Sequence, residues 1–98
     1  MNMYLFEQNS NYGRLKAPGQ LVVIWADSAQ AANQIAVENG IYFDGVARGI
    51  DCRCCDGSRW HRVTEADRID CLPLIEEYDE YDEADPFCRV VVIEKERP

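Results

Sequence analysis

The stretch QLVVIWADSAQAANQIAVENG, Gln20 to Gly40, changes its hydrophobic period halfway along, and that change decides the fold. Gln20 to Ala26 is rich in β-branched residues and apolar on both faces, the pattern of a central strand covered on two sides. From Ala29 onward the apolar positions Ala29, Ala32, Ile35 and Ala36 fall three and four apart, which makes them the stripe of an amphipathic helix. Asp27 or Ser28 caps that helix by accepting from a free N–H of the first turn, and the helix runs through Asn39. Gly40 ends it in the left-handed conformation.

The flanking sequence supplies the rest of a sheet. MYLFEQ, Met3 to Gln8, reads as a short strand, followed by a loop rich in turn residues whose clearest break is Pro18-Gly19. IYFDG, Ile41 to Gly45, reads as a short strand or extended segment, and RWHRV, Arg59 to Val63, as the second arm of a hairpin. Thr64 with Asp67 resembles a capping box and starts a short helix, which Pro73 interrupts. FCRVVVIEKE, Phe87 to Glu96, closes the chain as a strand. The sum is one α+β domain over residues 1–98, an antiparallel or mixed sheet of about four to five strands carrying one main helix.

A chain of 98 residues, 47% hydrophobic, has room for one modest core, so any clip, metal or subunit contact counts for more than in a larger protein. The opening MNMYLFEQNS has no basic segment leading into an apolar one, and LVVIWA is far short of the ~20 apolar residues of a membrane span. The expected location is therefore the cytoplasm. Charge is segregated: residues 1–62 hold six acids and six bases, while residues 63–98 hold twelve acids and four bases and so carry the whole net charge of −8. Within the second part, EEYDEYDEAD (residues 76–85) has seven carboxylates and no base, with Tyr78 and Tyr81 interleaved. Such a run repels nucleic acid and anionic membrane.

The cysteines pose the chemical question. Five cysteines in a reducing compartment are thiols or metal ligands rather than disulfides, and GIDCRCCDGSRWHR (Gly49 to Arg62) concentrates three of them. Cys52 and Cys55 have the C-x-x-C separation that lets two sulfurs reach one zinc ion; Cys54, His61, Cys71 or Cys88 would have to complete the set, because no second C-x-x-C is present. The metal candidates are thus Cys52, Cys54, Cys55 and His61. Buried reduced thiols are the plainer alternative, since free cysteine is among the most buried residue types. Arg53 would lower a neighbouring thiol pKa, yet the β-α-β setting of a thiol oxidoreductase is missing.

The run from Trp25 to Trp60, WADSAQAANQIAVENGIYFDGVARGIDCRCCDGSRW, resembles a family of small tailed-bacteriophage proteins of unknown function. These share a strand, an ADS..EAN helix, a GIYFDG segment and a DC.CCGDRW turn, matched here by Ala26 to Ser28, Ala32, Asn33, Gly40 to Gly45, Gly49, Asp51, Cys52, Cys54, Cys55, Arg59 and Trp60. The match covers about a third of the chain, and CCDGSRW departs from CCGDRW by one residue and moves the glycine to Gly57. The resemblance implies a phage origin, hence the cytoplasm of an infected host, and brings no known activity.

One histidine, no nucleophile motif and no phosphate-binding glycine loop argue against an enzyme; paired acids such as Asp44 and Asp51 would suggest a hydrolytic dyad, but acids in a loop are usually solvated. A non-enzymatic binding protein is expected, an inhibitor of a host defence or nucleic-acid enzyme. Its partner surface is Glu76, Glu77, Tyr78, Asp79, Glu80, Tyr81, Asp82, Glu83 and Asp85, whose carboxylates imitate DNA phosphates toward a basic groove. No cofactor is called for apart from the zinc alternative, and a homodimer is compatible with the composition. The competing readings are a small structural module built on the cysteine turn, and a sponge for a signalling nucleotide that uses Arg48, Arg53, Arg59 and Arg62.

Overall fold

The computed structural model describes residues 1–8, 18–51, 59–72 and 90–94. Strand β2 (Leu21–Ala26) lies inside the sheet, and Leu21, Val22, Val23 and Ile24 have no solvent exposure at all. Successive side chains of a strand point to opposite faces, so β2 is buried on both, as its two-sided apolar pattern requires. Strand β1 (Asn2–Glu7) pairs antiparallel with β2 from Asn2 opposite Ala26 to Glu7 opposite Leu21. Strand β3 (Arg68–Ile69) adds to the far side of β1, and β4 (Val90–Glu94) runs parallel to β2 on its other side. The order β3-β1-β2-β4 makes a mixed four-stranded sheet; with one main helix, this is the α+β domain expected.

Helix α1 (Ala29–Glu38) begins and ends where its side chains say it should. Ser28 is extended and its Oγ accepts from the Ala31 N–H at 3.1 Å. At the far end Gly40, at φ +90°, donates to Val37 O, and Ile41 donates to Ala36 O at 2.9 Å, the paired bonds of a Schellman ending. Ala29, Ala32 and Ala36 are buried against Tyr4, Phe6, Val22, Ile24 and Ala26, with Ile35 packed at the margin. Small side chains on this stripe let the helix approach the sheet closely.

Two polar contacts from distant residues hold the helix in place. Glu65 accepts from the Ala29 N–H with Oε1 at 3.0 Å and from the Tyr4 hydroxyl with Oε2 at 2.7 Å, joining the helix start to β1. The first turn contains no acid of its own, so Glu65 supplies the negative charge that the helix N-terminus favours. The Asn33 carboxamide accepts from the Val63 N–H at 2.8 Å and donates to the Val63 carbonyl at 2.9 Å.

That second contact explains the largest departure from expectation. Arg59 to Val63 forms no hairpin arm: it is irregular, with Arg59, Trp60 and Val63 buried and His61 and Arg62 exposed. Val63 finds both its backbone partners on a helix side chain, so it needs no neighbouring strand. Ile41 to Gly45 likewise forms no strand but a series of bends, with Ile41 and Phe43 turned into the core. The capping box at Thr64 and Asp67 is present, although it starts only a 3₁₀ turn (Glu65–Asp67), because Arg68 adopts extended geometry and pairs with Tyr4. The expected last strand is seen as Val90–Glu94; Pro73 to Arg89 and the loop from Asn9 to Ala17 lie outside the described residues.

Asn33→Ala should destabilise the domain by about 1–3 kcal/mol, because it leaves a partly buried N–H and C=O without partners. Gln30→Ala, on the exposed side of the same helix, should stay within about 0.5 kcal/mol. Chemical denaturation of the two variants makes the comparison, and equal effects would refute the clasp.

Candidate functional site

The segment leading into the cysteines is organised by one carboxylate. Asp51 is 1% exposed at its side chain and collects the Tyr42 hydroxyl on Oδ1 at 2.6 Å and the Arg59 backbone N–H on Oδ2 at 2.6 Å. The Arg59 guanidinium adds Nε at 3.5 Å from Oδ1. Residues 51 and 59 are therefore clamped together, and the stretch carrying Cys52, Cys54 and Cys55 departs from and returns to one anchored point. Gly45 completes the clamp from below: its carbonyl accepts from the Ile50 and Asp51 N–H groups at 2.8 and 3.0 Å. A Cβ at Gly45 would stand 2.6 Å from both Asp51 Oδ2 and Tyr42 Cε2, so glycine is required there for space.

The electrostatics follow from this geometry. Burial pushes the Asp51 pKa up, but the Tyr42 hydroxyl, the Arg59 N–H and the Arg59 charge outweigh it and hold the carboxyl below its ordinary range. Burial raises the pKa of Tyr42, and its bond to Asp51 raises it further. Glu65 is lowered by the Ala29 N–H and the Tyr4 hydroxyl, and Tyr4 is raised in return by Glu65.

Beside the clamp, Phe43 is gripped between the Phe6 ring, 6.3 Å away between centroids, and the Arg62 guanidinium, 4.9 Å from its centroid. Arg62 Nη1 also meets Asp44 Oδ2 at 3.1 Å on the surface. Asp44 has φ 58°, a left-handed geometry that aspartate tolerates better than most residues. Asp44 and Asp51 thus each hold a separate intramolecular cation. The same pairing engages Arg59 and Arg62, two of the four arginines considered for a nucleotide site; Arg48 is exposed and Arg53 lies outside the described residues.

Of the metal candidates, His61 is exposed on the rim of a groove, while Cys52, Cys54 and Cys55 lie outside the described residues. Cys71 is an exposed free thiol just beyond β3, and among the described residues no group of three or more potential ligands gathers. Glu76 to Asp85, the expected partner surface, also lies outside. No helix among the described residues is long and apolar enough to cross a membrane. The residues that sequence reasoning missed are Asp51 as a buried anchor, Glu65 as a remote helix cap and Asn33 as a clasp. Asp51 and Asn33 lie in the run from Trp25 to Trp60 on which the sequence resemblance rests, and nothing local marks Glu65.

The site thus belongs to a small α+β domain in which a buried aspartate closes a cysteine-bearing stretch. A family model described as "Domain of unknown function (DUF7296)" matches residues 1–96, and the chain belongs to that family. No curated protein and no solved structure matches the chain.

Both lowered carboxyls make the fold acid-sensitive. Their ordinary values are about 3.9 for Asp and about 4.3 for Glu, so their contribution is complete above those values and is lost as pH falls through the lower folded-state ones. Denaturation midpoints should fall progressively as pH drops below about 4. Asp51→Asn should be less stable at neutral pH and show a shallower acid decline. An unchanged decline would remove Asp51 from this role.

Proposed function

We propose that this chain is a non-catalytic binding protein whose partner surface is the acidic run from Glu76 to Asp85, directed at a basic, nucleic-acid-binding groove of another protein. In the phage setting that the sequence resemblance implies, the partner is a host defence or nucleic-acid enzyme and the effect is inhibition. The observation that carries this reading is the segregation of charge. In the described fold Asp44, Asp51, Glu65 and Asp67 each accept from partners within the chain, whereas the run from residue 76 to residue 85 holds seven carboxylates and no base. In the chain this run falls between β3 and β4, which occupy opposite edges of the sheet.

Charge of this kind acts at long range and mainly on the encounter rate. Replacing Glu76, Glu77, Asp79 and Glu80 with Gln or Asn should weaken capture of the partner by orders of magnitude while leaving the melting temperature nearly unchanged. Association with the parent chain should slow steeply as salt is raised, and DNA should compete. Indifference of the affinity to both salt and neutralisation would overturn the proposal.

A second reading is favoured by the Asp51–Arg59 clamp. Bringing residues 51 and 59 together, N to Oδ2 at 2.6 Å, restricts the chain between them in the way a chelating stretch requires. On that reading Cys52 and Cys55, with Cys54 or His61, hold a structural zinc ion, and purified protein carries about one equivalent that Cys52→Ser removes together with much of the thermal stability. Metal-free protein whose melting temperature the substitution leaves unchanged would end it.

A further inference from the structure

The edge of β1 is only half occupied. β1 pairs with β2 at six positions but with β3 at two, Met3 opposite Ile69 and Tyr4 opposite Arg68, so among the described residues Leu5 to Glu7 has no strand on that side. The direction of its backbone groups follows from the ladder. Gln8 donates to Gln20 O at 3.2 Å, which places Gln8 among the residues bonded toward β2; bonding direction alternates along an antiparallel strand, so Met3, Leu5 and Glu7 turn N–H and C=O the other way. Met3 meets β3 there. Leu5 and Glu7 line a groove of about 360 Å³ together with His61, Arg62, Val63, Ala66, Arg68 and Ile69.

We propose that this free half-edge takes an extended segment of a partner protein as an added strand, antiparallel to β1 and in line with β3. Two residues of the segment, separated by one, bond to Leu5 and Glu7, giving four main-chain hydrogen bonds of the kind that β-strand addition uses. Their side chains lie on the face shared by Met3, Leu5, Glu7 and Ile69. The residue opposite Leu5 is therefore apolar, where it packs beside Ile69. The residue opposite Glu7, which comes earlier in the segment, is basic, because the exposed Glu7 carboxylate stands across from it. This preference for a base, together with the chain's own formal charge of −8, selects a basic partner over a second copy. The proposal uses none of residues 76–85, so either proposal can fail without the other.

The test is a backbone amide NMR titration of the full chain with the peptide acetyl-Gly-Lys-Thr-Val-Gly-amide. Saturable shifts at the Leu5 and Glu7 amides are expected, with slowed hydrogen exchange at both. Methylating the valine nitrogen should abolish binding, since it removes a donor and blocks the edge. Exchanging the peptide lysine for glutamate should weaken binding about three- to tenfold, and Glu7→Lys, an exposed position, should reverse that preference. Absence of shifts at Leu5 and Glu7 overturns the proposal. So does binding that survives both N-methylation and Glu7→Lys, which would place the peptide on the acidic run instead.

Discussion

The fold turns on the need to bury a strand that is apolar on both faces. β2 cannot lie at a surface, so β1 and β4 pair along its two edges and α1 covers the face that carries Val22, Ile24 and Ala26. Burial of this kind supplies most of the stabilising free energy of a small domain and has no direction of its own. Something else must specify where the helix and the connecting segments sit.

Here that role falls to three side chains acting far along the chain. Glu65 ties the helix start to β1, Asn33 holds Val63 against the helix, and Asp51 closes the chain on itself at Arg59. Each satisfies backbone groups that irregular chain would otherwise leave open, which is why Ile41 to Gly45 and Arg59 to Val63 can stay irregular and still bury Phe43, Trp60 and Val63. A polar group serves better than an apolar one for this purpose because it accepts only a partner in the right geometry.

The same economy separates structure from function. Asp44, Asp51, Glu65 and Asp67 are committed to holding the described fold, and Arg59 and Arg62 answer two of them. The chemistry we propose for a partner therefore draws on other parts of the chain: the acidic run, the cysteine stretch between residues 51 and 59, and the half of β1 that pairs with no described strand.

By itself the sequence determined the strand-then-helix unit from Gln20 to Gly40, its Ser28 cap and Gly40 ending, and the alanine face that meets the sheet. Those are local matters of period and of the conformations a residue can reach within a few positions. It also determined the capping box at Thr64 and the segregation of charge. Tertiary structure alone decided that β4 runs parallel to β2, that Val63 pairs with a helix side chain rather than a strand, and that the side chain of Asp51, which reads as a solvated loop acid, is buried. Each of these depends on a partner 8 to 69 residues away, as from Asp51 to Arg59 or from Leu21 to Val90, and hydrophobic period carries no information at that range.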